Sequence, residues 1–111
     1  MHFSSTVALE PPRAHLTVAG ELDVSSSRAV RRAFDGALVD GGTDLTGDAS
    51  GVTFVAAAGL GAFVWLRNAA LAQHGRVRFV AVSDPFARVC EMAGLGPAFG
   101  LDPRTVVHTL S

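Results

Sequence analysis

No lysine occurs among these 111 residues. All nine basic residues are arginine, set against ten acidic ones, for a formal net charge of −1 at pH 7. That balance gives the whole chain no excess positive field, so neither nucleic acid nor an anionic lipid surface is an expected partner. Cysteine is present once, as Cys90, so no intramolecular disulfide can form and a stapled secreted scaffold is excluded. Met1-His-Phe-Ser-Ser-Thr6 has neither a basic start nor an apolar run, so no signal peptide is expected and a cytoplasmic location is. The longest apolar stretch, residues 54–66, falls short of the ~20 residues that cross a membrane. His2, His15, His74 and His108 are scattered without metal-ligand spacing, so neither a metal nor a cofactor is expected.

What remains is enough for one small domain spanning residues 1–111, with an apolar share of 49%. Two short runs around Pro11-Pro12 read as an antiparallel strand pair. Residues 20–23 then read as a loop, and Ser25, Ser26 and Ser27 as candidate caps for a helix. Val30, Ala33, Phe34, Ala37 and Leu38 recur at helical spacing along that helix, which should stop near Asp40-Gly41-Gly42. Residues 43–48 should be a strand despite poor propensity, because of their place between two helices. A second helix is expected over residues 59–74 with Gly75 as its stop, then a strand over residues 76–82. Ser83-Asp84-Pro85 is a strong start for a third helix, carrying Phe86, Val89, Cys90 and Ala93 inward and ending at Gly94. The tail, residues 105–110, fits a strand or a short helix. Alternating strands and helices imply a mixed α/β sheet of four to five strands with parallel neighbours, covered by three to four helices.

The segment Gly51-Val-Thr-Phe-Val-Ala-Ala-Ala-Gly-Leu-Gly61 reads as strand end, tight loop and helix start. Chemistry at such a turn uses a hydroxyl, a carboxylate or a cation. Ala56, Ala57 and Ala58 supply methyl groups and backbone, which leaves contact as their role. Gly59 and Gly61 make no phosphate loop, because no lysine or glycine-rich run accompanies them. Asp44 and Asp48, four apart, have no further acids converging on them. No nucleophile–base pair stands out, so the chain is not expected to be an enzyme. Cys90, set among apolar neighbours, reads as a small core hydrophobe.

Three blocks then resemble the STAS family, the sulfate transporter and anti-sigma factor antagonist domains, and in particular its bacterial anti-sigma factor antagonists. Val18-Ala-Gly-Glu-Leu-Asp23 matches the family's "GELD" loop. Asp48-Ala-Ser-Gly-Val-Thr-Phe-Val-Ala-Ala-Ala-Gly-Leu-Gly61 matches its "D-L-S-G-V-x-F-I-D-S-S-G-L-G" segment. Arg88-Val-Cys-Glu-Met-Ala-Gly-Leu95 matches the helix and turn near the end. In that family a partner kinase phosphorylates the Ser or Thr directly before Gly-Leu-Gly. Here Ala58 holds that place and Ala56 replaces the preceding Asp, so the usual phosphate cannot be attached.

The resemblance implies a domain that binds an anti-sigma factor, a serine-kinase-type ATPase, and so controls sigma factor release. It implies a contact surface of Asp23, Ser25, Ala56, Ala57, Ala58, Gly59, Leu60 and Gly61, with Trp65 at the edge. Asp23 reads equally as a helix cap and as a contact, and the two roles are compatible. Trp65 falls on the far side of its helix from Leu60, Phe63, Leu66 and Ala70, which suits an exposed anchor; packing under a loop or partly into the core is the plainer reading. Ser25, Ser26, Ser27 and Thr53 are the alternative hydroxyls for a phosphate. A monomer or weak homodimer is expected. The rival reading is a ligand-sensing or lipid-transport accessory STAS domain that holds a small molecule or serves a transporter.

Overall fold

A computed structural model describes residues 3–107. Strands β1 (Phe3–Glu10) and β2 (Arg13–Leu22) form the antiparallel pair around Pro11-Pro12. Helix α1 (Val24–Val39) leads to β3 (Asp44–Val55), and a 3-10 turn (Ala57–Leu60) leads into α2 (Gly61–Ala72). Strand β4 (Arg76–Ser83), α3 (Asp84–Met92), a second 3-10 turn (Pro97–Phe99) and β5 (Val106–Val107) complete the order.

The sheet runs β1-β2-β3-β4-β5, antiparallel at the first pair and parallel thereafter. Each parallel connection steps the same way across the sheet. Right-handed crossovers that all advance in one direction place every helix on one face. Aromatic packing marks that layer. Phe63 of α2 sits edge-on to Phe34 of α1 at 6.3 Å, to Phe79 of β4 at 5.4 Å and to Phe86 of α3 at 5.7 Å. Each such pair adds roughly 0.5–1.5 kcal/mol beyond area burial. The opposite face of the sheet is mostly polar, with Arg13, Thr17, Arg76 and Arg78 exposed on it beside an exposed Val80. The sequence reading did not foresee that bare face.

Several boundaries differ from the sequence expectation, each for a local reason. Residues 20–22 are the end of β2 and not a loop, because they pair with Val52, Phe54 and Val55 of β3. Strand β3 runs on to Val55, well past residue 48, despite its Gly and Asp content. Gly47 lies under the Phe79 ring, where a Cβ would meet a ring carbon at 2.7 Å, so its glycine makes room for a core aromatic. At Asp48 the register shifts, and its carboxylate accepts from the Ser50 amide at 2.9 Å and hydroxyl at 2.6 Å. A bulge stabilised by its own side chains explains the low strand propensity.

Helix α2 starts at Gly61 and not Gly59, and ends at Ala72 with Gln73 as its cap. His74 takes the left-handed conformation (φ 61°) expected of a glycine, and Gly75 follows. Ala33 and Val89 are half-buried, and Ala93 is exposed at the C-cap of α3, so none of the three joins the fully buried core. Ser83 caps α3 as expected, accepting from the Phe86 amide at 3.3 Å. The tail forms the short β5; His2, His108 and residues 109–110 lie outside the described residues.

Candidate functional site

Strands β2 and β3 end side by side, with Leu22 opposite Val55. The chain therefore leaves the same edge of the sheet twice. One exit passes through Asp23 into α1, and the other through Ala56 into the 3-10 turn. A hydrogen bond from the Ala56 amide to the Leu22 carbonyl, 2.9 Å, ties the two exits together. In parallel sheets this carboxyl-terminal edge is where ligands and partners are met.

The first exit is built on a reciprocal cap. Asp23 Oδ1 accepts the Ser26 amide at 3.0 Å, and Ser26 Oγ accepts the Asp23 amide at 2.7 Å. The N-cap is thus Asp23. Ser25 and Ser27 belong to the first turn, and Ser26 closes the capping box from inside it. The Ser26 amide, with its hydroxyl second, holds the Asp23 carboxyl below the usual carboxylate range. Ser25 next door is exposed.

The second exit has no side-chain cap of its own, because Ala56 carries only a methyl group. Its backbone is extended (φ −83°, ψ 142°) and its side chain half-buried. Ala57, Ala58 and Gly61 are exposed, whereas Leu60 is 3% exposed and belongs to the core. Gly59 is also buried, its Cα so close to β2 that a Cβ would meet the Leu22 carbonyl oxygen at 2.7 Å. Of the six residues from Ala56 to Gly61, Leu60 and Gly59 therefore anchor the turn, and Ala57, Ala58 and Gly61 present it. Ser27 Oγ of α1 accepts the Ala62 amide at 3.2 Å, supplying α2 with a cap from another helix.

Two apolar residues at this edge escaped the sequence reading. Phe54 is 53% exposed at the end of β3, and Val24 is 52% exposed at the start of α1. Phe54 was readable from register: Val55 points inward, which leaves its strand neighbour Phe54 to face out. Val24, two residues past Leu22, is turned outward by the first turn of α1. Phe54 had been absorbed into the long apolar run. Thr53 is exposed beside it.

Trp65 lies in a groove that adjoins this edge, since Arg32 lines both it and the hollow at Asp23 and Ser25. It is half-buried between α1 and α2, with the Arg31 guanidinium 4.5 Å from its ring centroid, in a groove lined also by Arg28, Arg32 and Asp35. Cys90 is fully buried, and burial pushes its thiol up to about 12. Asp44 pairs with Arg76 at 3.0 Å and Asp48 with Ser50, so those two acids do not converge. His15 Nδ1 meets Thr46 Oγ1 at 2.7 Å on the open sheet face. Among the described residues no group of three or more His, Cys, Asp or Glu side chains is placed to hold a metal ion. None of the helices described is long and apolar enough to cross a membrane.

An edge of small and apolar groups around the capped Asp23, with a shallow hollow there lined also by Glu21 and Arg32, is suited to contact with another surface. Comparison with known proteins agrees with the resemblance in the sequence. The family described as "Mlab, STAS domain" matches residues 5–101, and the chain belongs to the STAS family. No curated protein matches it. Among solved structures, the chain is similar to the anti-sigma factor antagonist SpoIIAA in its unphosphorylated form, with a TM-score of 0.75 and 18% identity over 97% of this chain and 90% of that one. An anti-sigma factor antagonist from Mycobacterium paratuberculosis gives 0.74 and 23%, over 92% and 86%. The Bacillus cell fate determinant SpoIIAA in its phosphorylated form gives 0.64 and 17%, over 97% and 93%. At these identities the likeness is one of fold.

Proposed function

We propose that this STAS domain is an anti-sigma factor antagonist-like protein, which docks on an anti-sigma factor of the serine-kinase ATPase type and so regulates sigma factor release. One observation carries the reading: the two chain exits from β2 and β3, tied by the Ala56–Leu22 hydrogen bond, expose Ser25, Ala57, Ala58 and Gly61 around the capped Asp23. Small side chains allow a partner's backbone to come close, and Phe54 and Val24 supply apolar area at the rim. The domain works as a monomer or weak homodimer in the bacterial cytoplasm, without a cofactor and without catalysis.

Its regulation differs from a phosphorylation switch at the usual place. A phosphate before Gly59 would add about two negative charges to the docking face. Ala58 has no oxygen to carry it, so ATP leaves the complex unmodified there. Purified candidate ATPases tested for binding to the wild type and to Asp23→Arg check the reading, with intact mass measured after incubation with ATP. Specific binding lost in Asp23→Arg, with no mass gain, is the expected result. Equal binding of the variant contradicts it, whereas a stoichiometric phosphate on Ser25 or Thr53 would move the switch to that hydroxyl. A lipid or small molecule retained in native mass spectrometry, with no ATPase bound, would replace it by the accessory-domain reading.

A further inference from the structure

The groove between α1 and α2 encloses about 410 Å3 and is lined by Arg28, Arg31, Arg32, Asp35 and Trp65. It concentrates three guanidiniums against one carboxylate in a chain whose net charge is −1. Arg28, Arg31 and Arg32 are all exposed, and among the described residues none of them has an ion-pair partner, Asp35 included. The three stand at i, i+3 and i+4 on one helix face, a spacing at which like charges destabilise a helix. An anionic occupant would relieve that repulsion.

We propose that this groove is a docking site for a carboxylate-rich segment of a protein partner. A guanidinium presents its donors as a planar fork that matches a carboxylate in two parallel hydrogen bonds. Arg31 already rests on the Trp65 ring, so it loses less freedom on binding than a free side chain would. Tryptophan and arginine together are the residues that concentrate binding energy at protein interfaces. The groove is open and its rim charges are in water, whereas small-molecule sites enclose most of their ligand. Trp65 is the one large apolar side chain lining it, which gives a membrane little to insert on. The groove adjoins the docking edge through Arg32, which also lines the hollow at Asp23 and Ser25, but the proposal rests on the groove's own residues.

Trp65 is the only tryptophan, so its emission reports directly on the groove. A blocked synthetic peptide alternating Glu and Leu is titrated into the full chain at low salt, with its Lys-and-Leu counterpart and phosphatidylglycerol vesicles in parallel. Saturable change in Trp65 emission with the Glu peptide alone is expected, weakening several-fold as ionic strength rises. Anisotropy of the labelled peptide gives the second readout. Arg32→Glu and Arg31→Glu should each lower its affinity about tenfold or more. Arg78→Glu, the same charge change on the open sheet face, should lower it far less, and Ala58→Leu, an uncharged enlargement on the docking edge, should leave it unaltered. Absence of saturation, equal loss in Arg78→Glu, or a response confined to the vesicles overturns the proposal. Ala58→Leu enlarges the docking edge without adding charge, so failure of this titration and failure of the ATPase reading are separable.

Discussion

The hydroxyl of Ser27, in the first turn of α1, accepts the backbone amide of Ala62, in the first turn of α2, at 3.2 Å. The first turn of a helix has amides without intrahelical partners, and a Ser, Thr or Asp just before the helix is their usual acceptor. The alanine run before α2 offers none, so a neighbouring helix supplies one. The bond joins the two exits of the candidate docking edge from behind. Ser27→Ala should cost about 1 kcal/mol in chemical denaturation, and Ser27→Thr should recover most of it.

Two glycines in the same turn should respond oppositely to alanine. A Cβ at Gly59 meets the Leu22 carbonyl oxygen at 2.7 Å, and the backbone there cannot give without moving β2 away. Gly59→Ala should therefore destabilise the domain by roughly 1–3 kcal/mol. A Cβ at Gly61 meets nothing within 4 Å, and its φ of −56° is helical. Gly61→Ala should be neutral or stabilise by about 0.5–1 kcal/mol. Urea midpoints for the two variants check both signs.

Asp23 links the docking edge to acid stability. Its folded pKa lies below the unfolded value of 3.8, because the Ser26 amide and hydroxyl favour the carboxylate. The group binds its proton more tightly when unfolded, so its stabilisation is complete above 3.8 and is lost as pH falls through the lower folded value. Asp23→Asn keeps an acceptor at the cap and cannot titrate. Its melting temperature should fall less steeply than that of the wild type across that acid range.

Cys90 gives the opposite sign. Burial raises its thiol from 9.0 to about 12, so the unfolded chain loses this proton first as pH rises. Stability from this group is complete below 9.0 and declines above it. Cys90→Ala, although less stable through lost packing, should show a flatter alkaline profile. In the native wild type a thiol reagent at about pH 8 should react only as fast as the domain opens.

The fold was readable in the sequence wherever one physical signal dominated. Ser83-Asp84-Pro85 states a helix start three ways, and α3 begins there. Strand β3 was foreshortened because Gly47 and Asp48 contradict strand propensity, and their reasons, the Phe79 ring and the bulge at Ser50, lie outside the segment. Asp23 was legible as a cap and Ala58 as an open position. Leu60 was readable as part of the apolar stripe with Phe63, Leu66 and Ala70, yet it was also counted in the contact surface; the 3-10 turn exposes Ala57 and Ala58 and buries Gly59 and Leu60, a division that composition does not encode. Trp65 is half-buried and packs partly against the core, the plainer of its two readings, and the Arg31 that covers its ring comes from another helix.

Calorimetric titration of a serine-kinase-type ATPase against the wild type and Ala58→Arg is the most direct test of the docking edge. Position 58 is exposed, so the longer side chain leaves the fold intact. The account predicts an affinity loss of about a hundredfold or more on Ala58→Arg, and no change in wild-type binding after incubation with ATP. An ATPase that binds the wild type and Ala58→Arg equally well would contradict it.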